Sequence, residues 1–107
     1  MSETIRILAE VDGDITTFKT LIRHPMETGQ RSNETTGERI PAHFIRKVTV
    51  EHRGRVVMTA LWGTGISENP YLSFKFKGAK LGDPVRLSWV DNKGVSDTLV
   101  AKIVKAD

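Results

Sequence analysis

At 107 residues the chain fits one ordinary domain with a single core. Its 38% hydrophobic and 27% charged residues make it too apolar for a disordered chain and too polar for a membrane protein. The formal charge of +3 favours acidic partners only weakly, and the absence of cysteine excludes disulfides, thiolate metal ligands and any sulfur intermediate held on a thiol of this chain.

The first residues, Met1 to Arg6, have neither the basic nor the apolar region of a secretory signal, so the chain is not expected to export itself. No apolar run is long enough to span a bilayer, and no membrane contact is expected. Apolar residues alternate over 5–9 and 15–23, two strands joined at the turn Asp12-Gly13-Asp14. The run ends at His24-Pro25-Met26-Glu27-Thr28-Gly29-Gln30-Arg31. There Pro25 holds His24 extended and removes a backbone donor, and Gly29 permits a positive φ, so the segment is a shaped polar loop.

From 27 to 41 some fifteen residues run without apolar periodicity, unusually long for a compact domain. The stretch reads as a functional or mobile loop, or as a solvated crossover between sheets. Strands follow over 43–52 and 55–62 around Arg53-Gly54. A second polar turn, Ile66 to Asn69-Pro70, leads into a strand beginning at Tyr71, where Leu72, Phe74 and Phe76 oppose Ser73, Lys75 and Lys77. After Gly82-Asp83-Pro84, Val85, Leu87 and Trp89 oppose Arg86 and Ser88. The turn Asp91-Asn92-Lys93-Gly94 then closes a tight hairpin onto a last strand over 98–104. About seven short strands in a single domain over 1–107 predict an all-β, immunoglobulin-like antiparallel sandwich, although periodicity alone does not separate it from a small barrel.

No catalytic, cofactor or metal site is expected. His43 and His52, nine positions apart on one predicted strand, point to opposite faces, and His24 has no carboxylate or second imidazole in helical or hairpin spacing. A hydrogen bond that fixes the turn is the role expected of His24. Ser67 and Ser73 lack a nucleophile elbow, and Glu27, Glu34, Glu38 and Glu68 are scattered loop charges rather than an acid–base pair. The interleaved Phe74-Lys75-Phe76-Lys77 suggests a single-strand-binding surface, but alternation turns the rings inward and the lysines outward. Nucleic acid is therefore not the expected partner, and a small nucleic-acid-binding barrel is the alternative reading.

Together His24–Arg31, Ile40-Pro41, Ile66–Phe74 and Ser88–Gly94 resemble, in order and spacing, the SoxZ family of the bacterial sulfur-oxidation system. The chain departs from the family pattern after Arg31, where Ser32 to Thr36 stands in place of a lysine-aspartate pair and a shorter turn. The resemblance implies an immunoglobulin-like sandwich, not itself an enzyme, that pairs with SoxY. SoxY's mobile C-terminal arm carries sulfur on a cysteine during thiosulfate oxidation, and other Sox enzymes meet the pair transiently. It also implies a periplasmic protein exported folded with a signal-bearing partner. The expected partner-binding residues are His24, Pro25, Met26, Glu27, Thr28, Gly29, Arg31, Asn69, Pro70 and Tyr71. Pro25, Gly29 and Pro70 would shape the loops, and His24, Glu27, Arg31, Asn69 and Tyr71 would supply hydrogen bonds, charge and an amphipathic contact.

Overall fold

The computed structural model describes residues 2–107. Its eight strands are β1 (Ile5–Asp12), β2 (Ile15–Ile22), β3 (Ile45–His52), β4 (Arg55–Leu61), β5 (Tyr71–Lys77), β6 (Pro84–Asp91), β7 (Ser96–Lys102) and β8 (Val104–Lys105). They form two four-stranded sheets, β5-β2-β1-β8 and β4-β3-β6-β7, so the fold is an all-β sandwich and not a closed barrel. β1-β2, β3-β4 and β6-β7 are hairpins within a sheet, and the chain changes sheet between β2 and β3, β4 and β5, β5 and β6, and β7 and β8.

Period-two sequence makes each strand two-faced. In β2, Thr16, Phe18, Thr20 and Ile22 are buried while Ile15, Lys19 and Leu21 are exposed. β6 buries Val85, Leu87 and Trp89, and β3 buries Ile45, Val48 and Val50. Phe18, Ile22, Ile45, Val48, Leu87 and Val85 have no accessible surface, and full burial of each such side chain stabilises by about 1.5–3 kcal/mol before conformational entropy is offset. At Arg53-Gly54 both residues have positive φ, 50° and 78°, the combination a two-residue hairpin of this hand requires.

Two expectations are corrected. The strand predicted over 98–104 is two strands: the Ile103 N–H donates to Asp83 O and Ile103 O accepts from the Gly82 N–H, which pulls the buried Ile103 off the ladder. β8 then pairs parallel with β1. His43 does not lie on β3, which begins at Ile45; its backbone exchanges hydrogen bonds with Glu27 instead (2.6 and 3.0 Å). The long stretch over 27–41 is, as one reading of it expects, an exposed crossover between the sheets, leading from β2 to β3, and it has a structure of its own. It is an exposed arm whose two limbs are tied by Ile40 N–H to Arg31 O, Asn33 N–H to Glu38 O and a Ser32–Arg39 bridge. The arm turns through Asn33 and Gly37, where Asn33 Oδ1 accepts from the amides of Thr35 and Thr36.

Candidate functional site

The blocks that carry the sequence resemblance meet at one end of the sandwich. His24, leaving β2, is buried. Its backbone N–H donates to Asn69 Oδ1 and its carbonyl accepts from the Asn69 N–H, both at 3.0 Å. Asn69 reaches that position with φ of 52°, and Pro70 O accepts from the Ile22 N–H, so the Asn69-Pro70 turn is laid along the end of β2. The last block, Ser88–Gly94, joins through Asp91. His24 Nε2–H and His43 Nε2–H donate to Asp91 Oδ2 at 3.1 and 2.7 Å, while Oδ1 accepts from the amides of Lys93 and Val95. The neighbouring Asn92 ties down the strand entering β3: its Oδ1 accepts from the Phe44 N–H and its Nδ2 donates to Ala42 O.

His24 is therefore not alone. Its ring meets that of His43 edge-on at 4.5 Å between centroids and that of Trp89 at 5.2 Å. No local spacing announces this pairing, because Asp91 is 67 positions away and His43 only becomes a neighbour through the Glu27–His43 bridge. Burial pushes the His24 pKa down, against the opposing pull of Asp91, which keeps the ring neutral. Burial alone would raise Asp91, but its hydrogen bonds from His24, His43, Val95 and Lys93 outweigh that and leave its pKa lowered.

Two imidazoles and a carboxylate within 4.8 Å of one another form a donor set of the kind that holds a metal ion. The hydrogen bonding opposes this. The Met26 N–H donates to His24 Nδ1 at 3.1 Å, so Nδ1 is the acceptor and the ring proton sits on Nε2, the atom that would have to ligate. Coordination there would require an imidazolate. The cluster is a hydrogen-bonded clasp between loops.

The remaining expected residues separate by burial. His24, Met26 and Pro70 are buried; Glu27 and Gly29 are half-buried; Pro25, Thr28, Arg31, Asn69 and Tyr71 are exposed. Met26 holds φ of 49° while its sulfur accepts from the Ile45 N–H at 3.3 Å. Gly29 is required twice over, by its φ of 87° and because a Cβ would sit 3.2 Å from that of Ala42. Glu27 and Arg31 grip each other through two bonds, Nε to Oε1 at 3.1 Å and Nη2 to Oε2 at 2.6 Å. Arg31 is the first cause of a lowered Glu27 pKa. Tyr71 stands apart from the clasp, on the outer face of the first sheet.

At the opposite end Asp83 plays a matching part, accepting from His52 Nε2–H, Arg53 Nη2–H and the Lys80 N–H at 2.8, 2.8 and 3.0 Å. The Arg53 and His52 bonds hold its carboxyl well below the usual carboxylate range. Phe74 and Phe76 pack inward on the core while Lys75 and Lys77 are exposed, so rings and cations lie on opposite faces of β5.

No curated protein sequence matches the chain. Among solved structures it is similar to the crystal structure of a hypothetical protein from Pyrococcus horikoshii, with a TM-score of 0.65 and 16% identity over 94% of this chain and 88% of that one. That likeness is one of fold. The family model described as sulphur oxidation protein SoxZ matches residues 5–102, which takes in β1 to β7, the arm, both ends of the sandwich and every block that carried the resemblance. The chain belongs to the SoxZ family.

Proposed function

We propose that the chain is the non-catalytic, SoxY-binding half of a sulfur-carrier complex, helping SoxY to offer its cysteine-bound sulfur intermediates to the other Sox enzymes during thiosulfate oxidation. The observation that carries this reading is the family match over residues 5–102. The chemistry of the chain agrees with it. A chain without cysteine has no thiolate on which to hold the intermediate. The cluster of His24, His43 and Asp91 is closed by bonds among its own members and from the Met26 amide. The same reading puts the complex in the periplasm, exported folded with a signal-bearing partner, and osmotic-shock fractionation of the native host checks that step.

The test is co-expression with SoxY, followed by native mass spectrometry and exposure to sulfur-labelled thiosulfate in the reconstituted system. A heterodimer burying about 800 Å² per partner is expected, with label on SoxY alone after denaturation. Separate species at micromolar concentration, or label retained by this chain, would overturn the assignment.

A further inference from the structure

We propose that the outer face of the sheet β5-β2-β1-β8, centred on Leu21, is the surface on which the partner protein docks. The partner would meet it with an apolar side chain flanked by carboxylates. This inference rests on the pairing with SoxY proposed above and adds the face that performs it.

Three large apolar side chains lie together there although water reaches all of them: Leu8 is 47% exposed, Leu21 45% and Tyr71 62%. Register makes them one patch. Leu21 sits directly opposite Tyr71 on one side and Arg6 on the other, and Leu8 is opposite Lys19, diagonal to Leu21. A shallow concavity of about 220 Å³ runs over Arg6, Leu8, Lys19, Leu21 and Tyr71. A second, of about 550 Å³, shares Arg6 and Leu21 and continues to Arg23 and Asn69, which carries the surface to the rim of the loop clasp. Three unlinked apolar residues would be ordinary, whereas a contiguous trio joined to two concavities marks a contact site.

Charge selects the occupant. Arg6, Lys19 and Arg23 ring the patch, none makes an ion pair among the described residues, and Glu3 is the one carboxylate lining either concavity. The complementary surface is apolar at its centre and acidic at its edge, with the charges steering encounter and the burial slowing release. The other sheet offers no equal. Its exposed apolar side chains are held apart by charge, Leu61 opposite Lys47, Val56 opposite Glu51 and Val100 opposite Arg86, and between them runs a polar row of Thr49, Ser88 and Thr98, with the Ser88 and Thr98 hydroxyls bonded to each other at 2.8 Å and Thr98 also donating to Leu87 O.

The test measures the affinity of the full chain for SoxY with four variants: Leu21→Glu, Tyr71→Ser, the double Arg6→Glu/Lys19→Glu, and Lys47→Glu on the opposite sheet as a charge-reversal control. All these side chains are exposed, and the melting temperature of each variant confirms folding. Leu21→Glu is expected to weaken binding at least about 100-fold and Tyr71→Ser about tenfold. The double reversal should slow association and flatten its salt dependence, and Lys47→Glu should leave binding unchanged. Wild-type binding of SoxY that survives Leu21→Glu and the double reversal, or that Lys47→Glu weakens equally, overturns the docking face and leaves the proposed function standing. Failure of the wild-type chain to bind SoxY removes both. A dT₂₀ oligonucleotide titrated in parallel separates the other occupant: binding of it that is lost in the double variant, with SoxY binding intact, assigns the face to single strands.

Discussion

Asp91 serves four donors at once, two rings and two amides, with no accessible side-chain surface. Its removal leaves the buried His24 N–H without an acceptor and frees the turn that closes β6 onto β7. Asp91→Ala is therefore expected to cost at least about 3 kcal/mol in urea unfolding. Asp91→Asn should be nearly as damaging, because its amide puts N–H groups where donors already point. A loss below about 1 kcal/mol would mean that the clasp is ornamental. The opposite sign is expected at Thr16, whose Oγ1 is buried with no hydrogen-bond partner among the described residues. Thr16→Val keeps the branched shape in β2 and removes the desolvated hydroxyl, so stability should rise by about 1 kcal/mol. At this scale the sequence was half legible. A turn-fixing bond to the His24 ring was expected and was found from the Met26 amide, but the carboxylate and the imidazole neighbour of His24 were not readable, because local spacing holds no information on contacts as far as 67 positions apart.

Strands declared themselves where one face is buried and the other wet, as in β2 and β6, because alternation is then written into the residue types. The misread boundaries are places where a side chain or a crossing replaces the ladder. Asn92 substitutes for a strand partner at Phe44, and Asp83 draws Ile103 away between β7 and β8. The arm over 27–41 was illegible for a related reason: its limbs are held by backbone bonds and by the Glu27–Arg31 pair in a region too exposed to need apolar alternation. An exposed pair of this kind stabilises little. Glu27→Ala with Arg31→Ala should therefore melt within a few degrees of wild type. If the arm meets the carrier or its enzymes, thiosulfate-dependent electron transfer in the reconstituted system should nevertheless fall about tenfold. Early melting with normal turnover of the folded fraction would make the arm architectural.

The molecule as a whole is 54 Å long by 26 and 24 Å, and its β6 is bracketed by two buried aspartates. Asp83 stands just before the strand and clasps His52 and Arg53 at one end of β3; Asp91 closes the strand and clasps His24 and His43 at the other. With eight residues of β3 between them, the clasps are about 25 Å apart, beyond the roughly 8–10 Å over which charges feel each other at ordinary salt. Their responses to acid occur in different windows. His24 has a folded pKa below its ordinary 6.5, so between those values the unfolded chain binds the extra proton and stability falls as the pH drops from about 6.5. Asp83 and Asp91 have folded pKa values below the ordinary 3.8; what they contribute is complete above 3.8 and is lost as the pH falls further. The melting temperature is thus expected to be level in its dependence on these groups above about pH 7, to decline from about 6.5, and to drop again below about 4. His24→Gln separates the limbs, since its amide can still donate to Asp91 but cannot titrate: the variant should melt lower at pH 7, show no decline between 6.5 and 5, and keep the drop below 4. An unchanged upper limb in that variant would take the acid sensitivity away from the loop clasp and place it elsewhere in the sandwich.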